Sequence, residues 1–266
     1  MPRIFLPITD ESKIINITGE KAHYLIRVLR CKVGDHIEVL DGKGRSFYCE
    51  IRGLSKREVR AEIISMQPCD TESPLNLILF QGLLKGEKMD IVIQKTTELG
   101  IKEIYPVITE RSQVRETGKI ARWRKIAEDA SRQSGRTFIP LIHEPVEYHD
   151  ALFMINEEYK KFLLTRTDSA VMDYSLKGFI FWEGGGISLK DALSNPALAG
   201  SLPLHFHTSL PIYLFIGPEG GFTAEEVRGA ESGGLITIAL GKRILRAETA
   251  SIVSTTLIQF LIGDLS

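Results

Sequence analysis

A glycine-rich segment late in the chain has the residue types that a ligand site needs. It runs FIGPEGGFT over residues 215–223, after an apolar stretch. Its glycines let backbone amides and carbonyls approach a ligand closely, and Glu219 places a carboxylate beside them. Thr223 and Glu226 form a capping-box pattern, which predicts that a helix begins here. A strand that ends in such a loop is typical of ligand binding in parallel sheets, although a tight turn without a ligand has the same pattern.

A second segment of this kind follows, IALGKRILRAETA at residues 238–250. Its apolar side chains offer walls for a flat ring, and the backbone around Gly241 can contact the polar edge of that ring. Arg243 and Arg246 flank the same loop. The alternative interpretation is a set of core leucines beside two solvated arginines.

The region that carries both segments has the pattern of an α/β domain with a mainly parallel sheet. Short apolar runs are typical of buried parallel strands, and here they alternate with longer periodic stretches typical of helices. The predicted strands are Leu75–Phe80, Ile104–Val107, Phe162–Leu164, Ile212–Ile216 and Leu235–Ala239. The predicted helices are Lys88–Leu99, Ile120–Ser134, Ala224–Glu231 and Ala247–Leu261. Residues 167–210 have little periodicity, and we expect an inserted loop there.

Residues 1–70 predict a small barrel of short strands. Strands are expected at Ile37–Leu40, Phe47–Ile51 and Val59–Met66, with a hairpin turn at residues 41–44, DGKG. One helix, Gly19–Leu29, interrupts them. We expect its inward side chains to be His23, Ile26, Val28 and Leu29, with Arg27 and Arg30 pointing outward. The polar residues 67–74, which include two prolines, are the predicted linker.

Charge and composition narrow the class of protein. The net charge of the 266 residues is −1, but residues 1–140 carry 24 Lys and Arg against 19 Asp and Glu, whereas residues 141–266 carry 9 against 15. The first part therefore suits a polyanionic partner, although chance variation gives the same excess. No apolar run is long enough to span a membrane, and the three cysteines lack metal-ligand spacing. We therefore expect a cytoplasmic protein that binds no metal.

Together the segments GPEGGFTAEEV and LGKRILRAETA resemble the signature of the ribosomal RNA small-subunit methyltransferase E family. Three other segments agree with this resemblance: HYLIRVLR, KGEKMDIVIQKTTELGIKEIYPVITERS and KIAEDASRQSGRTFIP. The resemblance extends over most of the chain. It is interrupted at residues 167–210, which are longer and richer in glycine than we expect for the family.

The resemblance implies an α/β fold in which a PUA-like β-barrel, residues 1–70, precedes a SPOUT methyltransferase domain, residues 74–266, with a trefoil knot near its carboxyl end. It implies S-adenosylmethionine-dependent methylation of N3 of the uridine at position 1498 of 16S ribosomal RNA, in the 30S subunit. It also implies a homodimer, and we predict that the interface includes the apolar helix Ala247–Leu261. Two alternatives are a SPOUT enzyme acting on another RNA target, such as a ribose 2′-hydroxyl, and a non-catalytic RNA-binding assembly factor.

The implied reaction suggests roles for individual residues. By its position beside the second loop, Arg246 is the predicted group that stabilises negative charge on the uracil, with an RNA phosphate as its alternative ligand, and Glu219 is the predicted base or orienting group. The predicted cofactor contacts are Leu163, Leu164, Thr165, Ile216, Gly217, Pro218, Glu219, Gly220, Gly221, Leu240, Gly241, Ile244, Leu245, Arg246 and Thr249. The predicted RNA contacts are Arg27, Arg30, Arg45, Lys85, Lys88, Lys95, Arg111, Arg115, Arg132, Gln133 and Arg136. We expect Arg111 and Arg115 to bind phosphates and Arg246 to act on methyl transfer.

Overall fold

The computed structural model describes residues 1–8, 13–67, 71–164, 177–194 and 211–265. The chain divides into two units. The first consists of Met1–Glu72 and Glu128–Ile139, and the second of Ser73–Ala127 and Pro140–Ser266. Residues 128–139 therefore belong to the amino-terminal unit, although they follow the predicted boundary near residue 70.

A five-stranded sheet organises the first unit. Its strands are β1 (Arg3–Phe5), β2 (Ile14–Thr18), β3 (His36–Leu40), β4 (Ser46–Leu54) and β5 (Glu58–Gln67), in the order β1-β3-β4-β5-β2. The hairpin between β3 and β4 turns at the predicted residues. The Asp41 carboxylate accepts hydrogen bonds from the backbone N–H groups of Lys43 and Arg45, and Gly42 has a φ of 75°. The predicted strands of this unit are confirmed.

The helix of this unit is also confirmed, but most of its predicted inward face is wrong. Helix α1 (Gly19–His23) continues as a π-helical turn over Tyr24–Val28, and the buried side chains are Ala22 and Leu25. Only Ile26 of the predicted inward residues packs against the core. The other three are exposed: His23, Val28 and Leu29. A π-helical turn contains more residues than an α-helical turn, so Val28 and Leu29, which were placed by the α-helical period, rotate outward.

A parallel sheet of seven strands organises the second unit. Its strands are β6 (Asn76–Gly82), β7 (Glu103–Ile108), β8 (Leu141–Ile142), β9 (Val146–Glu147), β10 (Gly178–Phe181), β11 (Pro211–Ile216) and β12 (Leu235–Ile238). The order is β12-β10-β11-β6-β7-β8, with β9 also paired to β7, and these pairs are parallel. The helices that follow α1 along the chain are α2 (Lys88–Glu98), α3 (Ile120–Ser134), α4 (Tyr148–Leu164), α5 (Leu189–Ser194), α6 (Ala224–Ser232) and α7 (Ala247–Ile262). The predicted α/β class is confirmed.

Two expectations for the chain before β11 are wrong. Phe162–Leu164, predicted as a strand, is the end of α4, because its apolar run continues a longer helical stretch. Residues 167–210, predicted as an inserted loop, contain β10 and α5. β10 pairs with β11 on one side and β12 on the other, so it lies inside the sheet. A strand of four residues is too short for its period to be recognised, and both of its partners come later in the chain.

Stacked aromatic rings hold the middle of this sheet. Phe80 on β6 lies between Tyr105 on β7, at a centroid distance of 4.7 Å, and Phe215 on β11, at 4.5 Å, with nearly parallel planes. All three rings are buried, and Phe80 is the register partner of the other two. Stacking of this kind stabilises the sheet beyond the area that the rings bury. The strands β6, β7 and β11 therefore keep a common register up to the loops that follow them.

Candidate active site

A pocket opens where β10, β11 and β12 end. These strands are parallel neighbours, so their carboxyl ends lie at the same edge of the sheet, which is the usual place for a ligand in such folds. The pocket has a volume of about 700 Å³ and is lined by residues 181–183, 216–221 and 239–248, together with Lys88 and Ala250. This volume lies within the range of small-molecule sites.

The first wall is the glycine-rich loop after β11. The Thr223 hydroxyl accepts a hydrogen bond from the backbone N–H of Glu226, whose carboxylate accepts one from the backbone N–H of Thr223. The predicted capping box at the start of α6 is therefore confirmed. Gly221 has a φ of 68°, and a Cβ there would overlap the carboxylate of Glu183. Both the backbone conformation and the close approach of this carboxylate therefore favour glycine at this position.

The second wall is the loop that connects β12 to α7. Gly241 has a φ of 98°, a conformation that favours glycine. Leu245 is half-buried, whereas the side chain of Ile244 is 82% exposed. Arg246 lies at the N-cap of α7 with extended backbone, and its side chain is also exposed. All four residues line the pocket, as does Leu240, so the structure brings the second predicted loop to the first.

The third wall comes from the end of β10, which the sequence analysis missed. Phe181, Trp182 and Glu183 line the pocket there. The indole N–H of Trp182 donates to the carbonyl of Phe222, at 3.2 Å, and so joins this wall to the first loop. A signal was present in the sequence, because residues 179–182, FIFW, form an apolar run shortly before three glycines.

The strand end predicted at residues 163–165 is wrong, whereas the cofactor contacts predicted for these residues stay predictions. Leu163 and Leu164 lie at the end of helix α4 and not at the end of a strand. Thr165 lies outside the described residues. The strand end expected there is supplied by β10.

Glu219 is tied to the start of α2. Its carboxylate accepts hydrogen bonds from the Lys88 ammonium, at 2.8 Å, and from the backbone N–H of Lys85, at 3.1 Å. Burial raises the pKa of Glu219, but these hydrogen bonds and the charge of Lys88 outweigh it, and the pKa lies below its ordinary value. A carboxylate with a lowered pKa is a weaker base, so this geometry favours an orienting role.

Glu248 is a third carboxylate in the pocket, beside Glu183 and Glu219, and the sequence analysis did not single it out. It lies in the first turn of α7, and its buried Oε2 has no hydrogen-bond partner among the described residues. An unpaired oxygen of this kind is suited to accept a hydrogen bond from a ligand. The predicted contact Thr249 is exposed and does not line the pocket, because successive side chains along a helix differ in direction by about 100°.

Several of the cations predicted to bind RNA are paired with acidic side chains. The pairs are Lys88 with Glu219, Lys95 with Glu98, Arg45 with Asp41, Arg115 with Glu147, and Arg132 with Asp129. Arg132 also donates to the hydroxyl of Tyr24, at 2.7 Å. These cations are at least partly exposed, and exposed ion pairs are weak, so a phosphate can compete for them. Their contacts with RNA stay predictions.

Two of the predicted RNA-binding arginines have other partners. Arg136 is only 2% exposed, and its guanidinium donates to the Glu72 carboxylate at 2.9 Å. A guanidinium buried in this way cannot reach a phosphate, so the prediction for Arg136 is wrong. Arg111 donates to the carbonyls of Gly220 and Phe222, at 3.2 and 3.4 Å, and so holds the first loop in place.

Other cations are exposed and have no side-chain partner within the described ranges. Beside the pocket these are Lys242, Arg243 and Arg246, and in the amino-terminal unit they include Arg27 and Arg30. The side chains of Lys85 and Gln133, also predicted to bind RNA, are exposed as well. Such cations can bind phosphates without first breaking an ion pair.

None of the helices in the described part of the chain combines the length and the apolar content that crossing a membrane requires. Among the same residues there is no group of three or more His, Cys, Asp or Glu side chains that could hold a metal ion.

Comparison with known proteins agrees with this architecture. Residues 71–259 match the RNA methyltransferase domain family, and residues 17–64 match the RNA methyltransferase PUA domain family. The chain is similar to ribosomal RNA small subunit methyltransferase E of Buchnera aphidicola, with 31% identity over 99% of this chain and 95% of the relative. It is also similar to the ribosomal RNA small subunit methyltransferase E of Bacillus subtilis, with 30% identity over 98% of this chain and 96% of the relative. A crystal structure of this enzyme from Neisseria gonorrhoeae bound to S-adenosyl methionine is also similar, with a TM-score of 0.81 and 32% identity over 100% of both chains.

The environment of Glu219 predicts an unusual titration. We expect its carboxyl group to titrate below its ordinary pKa of 4.5, and Lys88→Met to raise that pKa, because the main stabilising cation is lost. Carbon-13 NMR of the carboxyl group measures both values. Because the pKa of Glu219 is lower in the folded protein than in the unfolded one, its carboxylate stabilises the fold at pH values above the unfolded-state pKa. The unchanged protein should therefore be more stable than Glu219→Gln at those pH values. This difference should shrink as the pH falls through the folded-state pKa. Lys95→Met, on the same helix, is the control and should leave Glu219 unchanged.

Proposed function

The chain belongs to the ribosomal RNA small subunit methyltransferase E family, and we propose that it transfers a methyl group from S-adenosylmethionine to N3 of the uridine at position 1498 of 16S ribosomal RNA, in the 30S subunit. The observation that carries this proposal is the pocket between the two glycine-containing loops. The relative from Neisseria gonorrhoeae, which has the same fold, binds S-adenosyl methionine.

The residues of the pocket fit this cofactor. Gly217 and Gly221 leave backbone amides and carbonyls within reach of its polar edges, while Leu240 and Leu245 offer apolar surface to the adenine ring. The unpaired carboxylate oxygen of Glu248 can accept a hydrogen bond from a hydroxyl or ammonium group. When bound, S-adenosylmethionine supplies an electrophilic methyl group.

The acceptor nitrogen sets a second requirement. Methyl transfer to N3 of uridine yields N3-methyluridine, S-adenosylhomocysteine and one proton, and N3 is a poor nucleophile until that proton has passed to solvent water. Arg246 is exposed and lines the pocket, where its charge would stabilise the negative charge that develops on the uracil. The Glu219 carboxylate is paired with Lys88, which connects the first loop to α2. The lowered pKa of Glu219 makes it a weak acceptor for the proton. We therefore assign Arg246 to the reaction and Glu219 to positioning.

We assign RNA binding to exposed cations that have no described partner and that lie beside the pocket or within the residues that match the PUA domain family. Beside the pocket these are Lys242 and Arg243, because Arg246 is assigned to the reaction. In the first unit they include Arg27 and Arg30, both within the residues that match the PUA domain family. A uracil must leave its base stack to reach an enclosed site, so phosphate contacts would hold the RNA while the base moves.

We also propose that the protein is a homodimer that uses α7. The side chains of Leu257, Phe260 and Leu261 are exposed on this helix. Exposed apolar groups that lie close together favour a protein partner. A ribosomal substrate agrees with a cytoplasmic location.

Analysis of the reaction product separates the proposed reaction from its alternatives. Incubation of unmodified 30S subunits with the protein and S-adenosylmethionine should yield N3-methyluridine at one position of 16S RNA, which mass spectrometry of nucleosides and fragments detects. A 2′-O-methylated nucleoside would instead support the alternative RNA target. Binding to the subunit without any methylation would support an assembly factor.

The second loop should be essential for cofactor affinity. Gly241→Val places a branched side chain on the pocket at a φ of 98°, and we expect at least a tenfold rise in the dissociation constant of S-adenosylmethionine, measured by calorimetry. A matched control is Gly34→Val, because Gly34 has a φ of 91° and, like Gly241, open space around its Cβ position. Both variants carry the same backbone strain. Equal affinities in the two variants would refute the placement of the cofactor.

We expect the two arginines of the second loop to differ in function, one acting on the methylation rate and the other on RNA affinity. Arg246→Ala should lower the single-turnover methylation rate by about 100-fold with little change in RNA affinity, because its contact strengthens in the transition state. Arg243→Ala should weaken RNA binding and lower the salt slope by about one unit. Measurements on 30S subunits at two salt concentrations separate these effects. Arg228→Ala, at an exposed position with no assigned role, is the control. A salt slope reduced by Arg246→Ala would make Arg246 a phosphate ligand instead.

A further inference from the structure

A buried glutamine outside both glycine-containing segments lies beneath the pocket. Gln81 is near the end of β6, is completely buried, and does not line the pocket. It is the register partner of Ile216, the last residue of β11 before the first loop. A polar side chain at such a position must find hydrogen-bond partners, because an unpaired buried amide destabilises the fold.

The partners of Gln81 lie in the first loop of the pocket, in β6 itself and in the helix that follows the second loop. Its Nε2 donates to the carbonyl of Gly217 in the first loop, at 3.3 Å, and to the carbonyl of Gly82, at 3.1 Å. Its Oε1 accepts a hydrogen bond from the hydroxyl of Ser251 in α7. Ser251 lies one turn after Ala247, the first residue of the helix that follows the second loop. One amide group therefore joins the first loop to the helix behind the second.

The backbone next to Gln81 is in close contact with the first loop, which restricts movement of that loop relative to β6. A Cβ on Gly82 would overlap the backbone nitrogen of Pro218, so β6 lies directly against the first loop. Since the donors and the acceptor of one amide are held in a plane, the positions of Gly217 and Ser251 depend on each other.

We propose that Gln81 is a positioning residue that fixes the separation of the two cofactor loops and so sets the affinity for S-adenosylmethionine. This inference rests on the proposed function. It assigns a role in cofactor affinity to a residue that touches no ligand and lies outside the segments that carry the family resemblance.

Helix α7, which contains Ser251, also contains a control residue. Gln259 is also a completely buried glutamine, and its amide donates to the carbonyl of Leu99, at 2.8 Å, and accepts from the Ser73 hydroxyl, at 2.9 Å. None of these partners lines the pocket. Replacement by leucine removes a buried amide in each case, with three hydrogen bonds at Gln81 and two at Gln259, so both variants should lose stability. Only the change at Gln81 should alter the pocket.

The experiment measures the dissociation constant of S-adenosylmethionine by calorimetry and the free energy of unfolding by urea titration for Gln81→Leu, Gln259→Leu and the unchanged protein. We expect Gln81→Leu to raise the dissociation constant by about tenfold, which corresponds to about 1.4 kcal/mol. Gln259→Leu should leave it within about twofold despite a similar loss of stability. In steady state, the KM for the cofactor should rise with the KM for 30S subunits unchanged.

Smaller changes test the same connection if Gln81→Leu does not fold. Ser251→Ala removes the hydroxyl, and Gln81→Glu keeps the acceptor for Ser251 but loses the donor to Gly217. Both should weaken cofactor binding. Where Gln81→Leu does fold, its combination with Ser251→Ala should raise the dissociation constant by less than the product of the two separate factors.

The proposal is overturned if Gln81→Leu, or the two smaller changes, leave the dissociation constant unchanged, or if Gln259→Leu raises it equally. Failure of the unchanged protein to bind S-adenosylmethionine would contradict the proposed function as well, so the two failures are distinguishable.

Discussion

The pocket depends on the position of β10 between β11 and β12. β10 pairs in parallel with both neighbours, and Phe179 and Ile180 are completely buried. Since adjacent strands in a sheet lie about 4.8 Å apart, one intervening strand places the ends of β11 and β12 about 10 Å apart. That distance leaves a gap between the two glycine-containing loops. The end of β10 closes the gap, with Trp182 hydrogen-bonded across to the first loop.

Electrostatic interactions divide the cations near this pocket into two groups. Lys88 and Arg111 are held by Glu219 and by loop carbonyls, so their charge stabilises the first loop. Lys242, Arg243 and Arg246 are exposed and have no described partner, so their charge is available to an anionic ligand. The same pairing that orders the first loop lowers the pKa of Glu219 and so makes it a weak base. The cations that contact the first loop from other elements are therefore paired, whereas those carried by the second loop are not.

Sequence patterns predicted the elements whose signal is local. Helix α3 was predicted with its observed bounds, and the capping box of α6 was read from Thr223 and Glu226. The errors occurred where the signal was short or the period changed. The strand predicted at the end of α4 is helix, and the π-helical turn exposes Val28 and Leu29. β10 was missed because a strand of four residues is recognised by its neighbours in the sheet, which lie later in the chain.

The sequence by itself determined the fold class, the family and the two loops that line the pocket, because glycines, caps and apolar runs act through residues near them in the chain. Only the tertiary structure decided the third wall, the burial of Arg136, the pairing of Glu219 with Lys88 and the place of Gln81. Each of these depends on groups that are distant in sequence: Gln81 and Ser251 are 170 residues apart, and Arg136 and Glu72 are 64 apart. Whether a cation binds RNA or stabilises the fold is set by such partners, since burial and pairing determine whether its charge is free.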